Sequence, residues 1–392
     1  MVAENSTSGL SRRELLKKAG LIGACAFPLA GVFGCRREKQ EEATPGSTKA
    51  ARQGFIRPQP SPWFSSLGQA GIKCELCPRG CQLAEGARSF CRVRENRGGV
   101  GHTLVYGNPA LVQEDPVERM PFYHMLPGSW VLSISTAGCN LACKFCEVWD
   151  MALVAPEDIH AYDMPPENVV AHAKASGVRA ISYAFGEPVA FYEYMAEVAV
   201  LAKKAGLLNL VHTAGYIQPR PLEDLAGRLD AVNVDLKGFD PAFYREIVGG
   251  ELEPVLKTLK MIREAGLHLE ITNVVIPTLN DDLAQVSKMC RWIVAELGAE
   301  VPVHFARFYP LFKLSALPRT PVSTMDRIRE TALETGLKFV YIAKIPGHQG
   351  ENTFCPGCQE IVIKRLGFVI EEIKLNNGAC AYCGTAIPGR WI

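Results

Sequence analysis

The stretch that decides the fold reads Ser135-Thr136-Ala137-Gly138-Cys139-Asn140-Leu141-Ala142-Cys143-Lys144-Phe145-Cys146. It places three thiols at the spacing C-x3-C-x2-C, directly after the apolar run 131–134. Cysteines this close together are typical of a metal centre. A closed structural zinc site needs four ligands, whereas three thiolates on a [4Fe-4S] cube leave one iron free for another ligand. The alternative is three buried cysteines in a loop between a strand and a helix.

The composition is that of an ordinary globular protein. The chain has 392 residues, of which 48% are hydrophobic and 21% are charged, enough for one large core with small appendages. The net charge of +1 gives no electrostatic sign of nucleic-acid binding. Of 14 cysteines, eleven fall into three clusters whose short spacings favour metal sites over disulfides. Another, Cys290, lies in an apolar helical pattern and is predicted to belong to the core.

Residues 1–35 have the pattern of a targeting segment. Twin arginines at Arg12 and Arg13 precede an uncharged stretch over 19–34, and the segment that ends at Cys35 resembles a bacterial lipobox. The stretch is shorter than the ~20 residues of a membrane-spanning helix, which predicts a twin-arginine, lipoprotein-like signal or anchor. The protein is then membrane-associated or exported, on a side of the membrane that the sequence leaves open. The alternative is a short amphipathic helix without a targeting role, in a cytoplasmic protein.

Two segments separate this N-terminus from the central thiols. Residues 36–62 are rich in Pro, Gly, Ser and Thr, which is typical of a flexible linker. Residues 63–128 form an N-terminal cysteine module with four thiols: Cys74, Cys77, Cys81 and Cys91. Four thiolates at this spacing bind either a structural zinc ion or an auxiliary iron–sulfur cluster, and both alternatives stay open.

Residues 129–347 alternate short apolar or β-branched runs with amphipathic helical patterns. The predicted strands are 131–135, 180–184, 210–213, 231–236, 267–276, 303–308 and 339–343. The predicted helices are 167–175, 192–205, 222–228, 254–265, 283–297 and 325–335, and many of them end at a glycine. Repeated βα units predict an α/β fold with a parallel sheet, whose chemistry lies on the loops that follow the strands.

Polar residues follow two of these strands. Gly186 permits close backbone approach, and Glu187, before Pro188, brings a carboxylate near the cysteine loop. Asp235 and Lys237 share one face of a strand at period two. This pair either grips a polar ligand or forms a surface ion pair of little energetic value.

Other polar residues have a weaker signal. His304 and Arg307 lie near the end of a later strand, where the Arg307 guanidinium suits a substrate carboxylate or phosphate. His124 either lines the site or packs in a loop. Asn280 and Asp281 are typical of a turn followed by a helix cap.

Residues 348–392 form a C-terminal module with the spacing C-x2-C-x21-C-x2-C. Its thiols are Cys355, Cys358, Cys380 and Cys383. Two such knuckles on either side of a hairpin over 361–365 and 368–373 are typical of a zinc ribbon, which predicts a structural metal. A rubredoxin-like iron is the alternative.

The C-x3-C-x2-C motif resembles the signature of the radical S-adenosylmethionine (SAM) superfamily. From about residue 72 to residue 391, the chain resembles the radical SAM enzyme of the AmmeMemoRadiSam system, a branch similar to pyruvate formate-lyase activating enzymes. The segments that carry this resemblance are 74–99, 137–141, 235–238, 277–281 and the C-terminal module. The chain departs from the family at Glu147-Val148-Trp149, where Gln-Asn-Trp is usual, and at Ala214, where Asn is usual.

The resemblance implies a partial TIM-type (β/α)6 barrel between the two cysteine modules. It implies that Cys139, Cys143 and Cys146 hold a catalytic [4Fe-4S] cluster, whose open iron binds SAM. One electron then cleaves SAM to a 5′-deoxyadenosyl radical, which abstracts hydrogen from an unidentified substrate, either a small molecule or a partner protein. The implied partners are SAM and a reductant such as a flavodoxin or ferredoxin, without nucleic acid.

The resemblance also assigns residues to SAM. Residues 183–188 resemble the GGEP-type motif that contacts the SAM amine, with Gly186, Glu187 and Pro188 in place and Phe185 where a glycine is usual. Asp235 and Lys237 resemble a motif that contacts SAM or a nearby cation. His304 resembles a SAM-contacting histidine of the activating enzymes.

Two other functions fit parts of the chain. A membrane-tethered iron–sulfur or zinc electron-transfer lipoprotein explains the N-terminus better and the strand-end motifs worse, and it predicts metal without SAM cleavage. A degenerate radical SAM fold that acts as a scaffold is the other, but the three intact central cysteines argue against it. Glycyl-radical activating enzymes that have extra clusters usually carry them after the motif. Here the extra cysteines of the N-terminal module precede it, which argues against a literal activating enzyme.

Overall fold

The computed structural model describes residues 49–391. The predicted targeting segment over 1–35, including its lipobox Cys35, lies outside these residues, as does the part of the predicted linker before residue 49. Within the described residues, every helix is too short or too polar to cross a membrane.

The chain before the central motif forms short strands. Their bounds are β1 (Lys49–Gln53), β2 (Gln59–Pro60), β3 (Phe64–Gly68), β4 (Gly71–Cys74), β5 (Gln82–Leu83), β6 (Arg94–Arg97), β7 (Val100–Thr103) and β8 (Leu111–Pro116). β3, β4 and β5 form one small sheet, and β2, β7 and β6 form another. The prediction of a flexible linker up to residue 62 is therefore wrong for its described part, because β2 pairs with β7 and β1 pairs with a strand further along the chain.

The central part of the chain alternates strands and helices. The strands are β9 (Trp130–Ser135), β10 (His160–Asp163), β11 (Ala180–Tyr183), β12 (Leu208–Thr213), β13 (Ala231–Asp235), β14 (His268–Val275), β15 (Val303–Arg307) and β16 (Val340–Ala343). The helices are α1 (Trp149–Ala152), α2 (Pro166–Ala175), α3 (Tyr192–Lys204), α4 (Pro219–Ala226), α5 (Pro241–Phe243), α6 (Leu252–Glu264), α7 (Leu283–Glu296) and α8 (Val322–Glu334). β10 is the strand that pairs with β1.

These elements build one open sheet in the order β16-β15-β14-β13-β12-β11-β9-β8. All neighbours from β9 to β16 are parallel, and β8 is antiparallel at one edge. The predicted α/β class is confirmed, and each predicted strand and helix is present to within three residues at each end. The described sheet contains six successive strand–helix units, from β9–α2 to β15–α8, and a seventh parallel strand, β16, follows them. The strands and helices were predictable because apolar runs mark buried strands and glycines mark helix ends, and both are local patterns.

Both faces of the sheet are covered. Helices pack on the outer face, while residues 117–128, here called the plug segment, fill the inner face near the N-terminal ends of the strands. Buried side chains of the plug segment such as Met120 and Phe122 pack against Val131, Ala180 and Leu210. The C-terminal ends of the strands remain free to line a cavity on the same face.

The C-terminal module packs on the plug segment. Its strands are β17 (Thr353–Phe354), β18 (Ile361–Leu366), β19 (Val369–Ile373), β20 (Leu375–Asn376) and β21 (Ala379–Cys380), and β18 and β19 form the predicted hairpin. Arg365 of β18 is buried and donates to the carbonyl oxygen of Tyr123 at 2.9 Å. The backbone N–H of Leu126 donates to the carbonyl oxygen of Arg390 at 2.7 Å. The module therefore packs beside the plug segment, and Phe368 in the turn between β18 and β19 reaches the cavity at the strand ends.

Candidate functional site

The central loop, residues 136–146, follows β9 and carries the three thiols of the motif. Gly138 has φ +95° there, in the left-handed region that favours glycine. A Cβ atom at this position would lie 2.5 Å from Val93 Cγ1 and 2.7 Å from the carbonyl oxygen of Cys91. Glycine is therefore required just before Cys139, because the N-terminal cysteine module packs directly against this loop.

The three thiols of the central loop line one cavity of about 450 Å³. Cys143 is 8% exposed, and Cys139 and Cys146 are half-buried. Residues from the strands also line the cavity, among them Thr213 of β12 and Ala306 of β15. The sheet thus curves around the space into which the thiols face.

Burial keeps these thiols protonated unless a metal binds them. Burial raises the pKa of Cys143 to about 11, although the nearby Lys237 ammonium opposes this. Burial and the neighbouring Glu187 carboxylate raise the pKa of Cys139. Metal binding requires thiolates, so it must release these protons. Three thiols that face one cavity and leave a coordination position open fit a [4Fe-4S] cluster with a free iron.

The predicted GGEP-like segment lies at the same cavity. Glu187 is 3% exposed, and its carboxylate accepts from Thr213 Oγ1 at 2.6 Å and from the backbone N–H of Ala214 at 2.9 Å. Burial raises the pKa of Glu187, and these hydrogen bonds oppose the rise. Phe185 adopts φ +66°, so the backbone keeps the left-handed conformation that a glycine would take without strain.

Gly186 lies at the cavity, whereas Pro188 lies away from it. Gly186 lines the cavity, and a Cβ atom there would lie 2.5 Å from Ser135 Oγ, so only glycine fits. Pro188 is buried in a single helical turn and does not line the cavity. The prediction that Pro188 contacts SAM is therefore corrected to a structural role, since it begins the turn that follows Glu187.

Asp235 and Lys237 form a half-buried polar centre beside the thiols. Asp235 accepts from Lys237 Nζ and lies 2.9 Å from His212 Nε2 through its other oxygen. Burial would raise the pKa of Asp235, but Lys237 and His212 outweigh it and hold the pKa below its usual value. Asn280 donates to the carbonyl oxygen of Lys237 at 2.9 Å, which fixes the backbone of this pair. Asp235 therefore stays ionised, and the surface ion pair is excluded because both residues line the cavity.

The structure does not bring His304 or Arg307 to the cavity. His304 is fully buried, and its Nε2 lies 2.6 Å from a carboxylate oxygen of Glu270. The same carboxylate accepts from the backbone N–H of Tyr123 at 3.0 Å, so this pair anchors the plug segment. Arg307 donates to the carbonyl oxygen of Thr320 at 2.7 Å. Both predicted ligand contacts are corrected to structural roles.

His124, Asn280 and Asp281 have structural roles. His124 is fully buried between Tyr341 and the C-terminal module, and burial lowers its pKa to about 3. Asn280 and Asp281 form the predicted turn, whereas the cap of α7 is Asp282, which accepts from the N–H of Gln285 at 2.9 Å.

Several residues that line the cavity were not predicted from the sequence. They come from the plug segment, the end of the central loop, the loop after β16 and the turn between β18 and β19: Glu118, Arg119, Glu147, Lys344 and Phe368. Glu118 is 2% exposed and accepts from the N–H of Gly128 at 2.8 Å, while its Oε2 has no partner among the described residues. Burial raises its pKa to about 7. No motif or period marks these positions, because they reach the cavity only through tertiary packing.

The two outer cysteine sets differ in spacing. In the C-terminal set, Cys355 and Cys383 have sulfurs 3.5 Å apart, and those of Cys358 and Cys380 lie 3.7 Å apart. All four sulfurs lie within 4.8 Å of one another, a geometry that no other cysteine set in residues 49–391 matches. A tetrahedral Zn–S bond of about 2.3 Å separates sulfurs by about 3.8 Å. The C-terminal thiols therefore fit a single metal ion.

Fold and site together define a parallel α/β protein with three thiols at a cavity that the strand ends line. A family model for the radical SAM superfamily matches residues 133–290. An uncharacterized protein of Methanocaldococcus jannaschii is 38% identical over 327 residues, which cover 83% of this chain and 97% of that protein. The chain belongs to the radical SAM superfamily, whose members use a [4Fe-4S] cluster and SAM.

More distant relatives have named activities. The pyruvate formate-lyase-activating enzyme of Clostridium pasteurianum is 25% identical over 211 residues, covering 51% of this chain and 87% of that enzyme. A GTP 3′,8-cyclase of Bradyrhizobium diazoefficiens is 25% identical over 257 residues, covering 59% of this chain and 72% of that enzyme. Both similarities support an enzyme, and neither identifies the substrate of this chain.

Proposed function

We propose that this enzyme cleaves SAM reductively at a [4Fe-4S] cluster held by Cys139, Cys143 and Cys146. The convergence of these thiols with the Glu187 carboxylate and the Asp235–Lys237 pair on one cavity is the observation that carries the proposal. When bound, the cluster and SAM supply a one-electron cleavage and a 5′-deoxyadenosyl radical that abstracts hydrogen from the substrate.

The chain's own residues prepare the site for a charged cofactor. Glu187 offers a carboxylate for the SAM amine, and Lys237 offers an ammonium that suits the SAM carboxylate. The plug segment closes the far side of the cavity and restricts the entry of water, which protects a radical from side reactions. SAM binding by Gly186, Glu187, Asp235 and Lys237 remains part of the proposal.

The substrate is an unidentified small molecule or partner protein, as for an activating enzyme. Residues 74–99 and 235–238 resemble motifs of the radical SAM enzyme of the AmmeMemoRadiSam system, and this resemblance supports an enzyme similar to the activating enzymes. A flavodoxin or ferredoxin is the proposed reductant, because the cleavage consumes one low-potential electron. Zinc is the proposed metal of the C-terminal module.

The test is anaerobic cleavage of SAM. The full chain is reconstituted with iron and sulfide, reduced with dithionite, given SAM and assayed for 5′-deoxyadenosine. The expected product disappears in Cys139→Ala and persists in Cys290→Ala, a matched change at a buried cysteine of α7 outside the cavity. A cluster-loaded protein that takes up electrons but makes no 5′-deoxyadenosine would overturn the proposal in favour of electron transfer alone.

Localisation is a separate part of the proposal. The twin-arginine pattern and the lipobox at Cys35 support a protein that is membrane-associated or exported, with a cytoplasmic protein as the alternative. Cell fractionation, followed by protease added from outside, distinguishes these cases. A membrane-bound enzyme that the protease does not reach supports a tether with the enzyme inside the cell.

A further inference from the structure

We propose that Cys74, Cys77, Cys81 and Cys91 bind a second, redox-active iron–sulfur cluster in direct contact with the central loop. This inference concerns a different set of ligands from the SAM site and does not depend on SAM cleavage. A structural zinc ion, the other occupant that four thiolates accept, is the alternative that the test must exclude.

The four thiols converge although they come from separate strands and turns. The backbone N–H of Cys74, at the end of β4, donates to the carbonyl oxygen of Cys81 at 2.9 Å. Gly80, at φ +52°, turns the chain between Cys77 and Cys81. Cys91 arrives from the other side, and Ser89 Oγ lies 3.0 Å from its sulfur. Cys74, Cys77 and Cys91 are buried, and Cys81 is half-buried.

The spacing of the sulfurs separates this set from the zinc-like one. In the C-terminal module every sulfur lies within 4.8 Å of the others, as a single ion requires, and no three thiols of the N-terminal module meet this distance. The thiols of the central loop do not meet it either. Thiolates on different irons of a cluster lie further apart than thiolates on one zinc ion, so four cluster ligands do not all lie within the zinc distance. In this respect the N-terminal set resembles the central set and differs from the zinc-like set.

The contact between this module and the central loop is close. Cys91 and Gly138 approach so tightly that a Cβ atom on Gly138 would lie 2.7 Å from the Cys91 carbonyl oxygen. Gly138 precedes Cys139 in the chain and contacts Cys91. Gly138 is therefore the one residue between Cys91 of the N-terminal set and Cys139 of the central set. The N–H of Gln218 also donates to the carbonyl oxygen of Leu76 at 2.9 Å, which ties the loop after β12 to the knuckle that follows Cys74.

Arg79 joins the two sets electrostatically. It lies in the turn between Cys77 and Cys81, and its Nε donates to the carbonyl oxygen of Asn140, the residue after Cys139. A second guanidinium nitrogen donates to the carbonyl oxygen of Gly249. These carbonyl oxygens carry no formal charge, so the guanidinium can offset the negative charge of thiolate-bound clusters on both sides. Such a charge favours the reduced state, which is one unit more negative.

Reduction of the N-terminal cluster takes up one electron. Dithionite supplies one electron and reduces the N-terminal cluster by one unit, without bond formation or proton transfer at the protein. In the cell, a flavodoxin- or ferredoxin-type reductant supplies the same electron. Contact between the two sites places the reduced cluster where it can pass this electron to the cluster of the central loop.

The test compares metal content in three full-length variants that are reconstituted anaerobically. The triple variant Cys139→Ala/Cys143→Ala/Cys146→Ala lacks the central ligands, the double variant Cys77→Ala/Cys81→Ala lacks two N-terminal ligands, and Cys290→Ala is the matched control. We expect iron and sulfide in the triple variant, with an electron paramagnetic resonance signal after reduction by dithionite. The double variant should lose the corresponding share of iron and keep one zinc ion per chain.

Several results would overturn the inference. A triple variant that holds zinc but no iron shows a structural zinc site. A double variant with the same iron content as the wild type also shows that the N-terminal cysteines hold no iron. This second comparison does not need the triple variant to fold. In the reduced wild type, two adjacent clusters should give a spectrum that is broadened relative to the sum of the two variant spectra. A simple sum would exclude the proposed contact. Failure of SAM cleavage in a chain that loads both clusters would contradict the proposed function and leave this inference standing.

Discussion

The central loop and the C-terminal module both gather cysteines, yet their surroundings differ in a way that separates chemistry from structure. The three central thiols face a cavity of about 450 Å³, and the donor set leaves a position open. The four C-terminal sulfurs lie within 4.8 Å of one another and complete a tetrahedron without a further ligand. An open set can bind a reactant at its metal, whereas a closed set has no free position for one.

The two regions also differ in what their metal connects. The central thiols lie in one short loop whose backbone is already fixed, for example by the Asn140 side chain, which donates to the carbonyl oxygen of Tyr216 at 2.7 Å. The C-terminal thiols come from two knuckles on either side of a hairpin, so their metal crosslinks distant parts of the module. Loss of a central ligand should therefore remove activity, and loss of a C-terminal ligand should remove stability.

The largest expected effect is on catalysis in Cys143→Ala. Changes in residues that only support metal ligands typically cost 10–100-fold, so loss of a ligand itself should reduce 5′-deoxyadenosine formation by more than about a hundredfold. The thermal unfolding midpoint should stay close to that of the wild type. Product assays and calorimetry on the same preparation check both outcomes. Activity within tenfold of the wild type would contradict the role of the central loop.

Cys380→Ala should instead lower stability. Structural zinc contributes on the order of 10 kcal/mol in isolated small modules, so even partial loss should lower the unfolding midpoint by on the order of 10 °C. Removal of the metal from the wild type by a chelator should lower it similarly. Zinc analysis and calorimetry measure these changes. Equal losses of stability in Cys380→Ala and Cys143→Ala would break the distinction between the two regions.

Asp235→Asn tests the polar side of the cavity with the cluster ligands intact. The change removes the charge that pairs with Lys237, which leaves an uncompensated ammonium beside the thiols. SAM cleavage should fall by about 10–100-fold at unchanged iron content. The matched control is Asp240→Asn, because Asp240 caps α5 outside the cavity and Asn caps helices equally well. Equal activity in the two variants would show that Asp235 does not support SAM binding.

The smallest effect is a pH-dependent change in stability at Glu118. Burial raises its pKa from 4.5 to about 7, while Arg365 of the C-terminal module lowers it in part. A raised carboxyl pKa means that the folded state favours the protonated form, so its contribution is present below pH 4.5 and is lost as the pH rises through about 7. At pH 8 the ionised carboxylate should cost on the order of 3 kcal/mol.

Glu118→Gln removes this cost. Its unfolding midpoint should exceed that of the wild type by a few degrees at pH 8 and match it at pH 5. Glu114→Gln, at an exposed position of β8, is the control and should change neither value. Equal stabilisation of Glu118→Gln at both pH values would show a packing effect rather than an ionisation effect.

Local pattern was sufficient for much of the structure. The spacing of the cysteines assigned the central motif and both outer modules, and the alternation of apolar runs predicted the strands and helices of the sheet. These features succeed because periodicity and short-range spacing depend on neighbours in the chain. The Asp235–Lys237 pair was recognised for the same reason, since period two places both side chains on one face.

Strand pairing and packing determine how far each side chain lies from the cavity, which segments touch, and which side chains reach the cavity. His304 shares a strand face with Ala306, which lines the cavity, but it lies two residues earlier, about 7 Å towards the N-terminal end, where Glu270 encloses it. Glu118 reaches the cavity because the plug segment folds into the curved sheet, and Cys91 meets Gly138 because the N-terminal module docks on the central loop. Local spacing along the chain shows which residues share a strand face or a cysteine knuckle. Strand pairing and packing decided how far along that face each side chain lies and what closes over it.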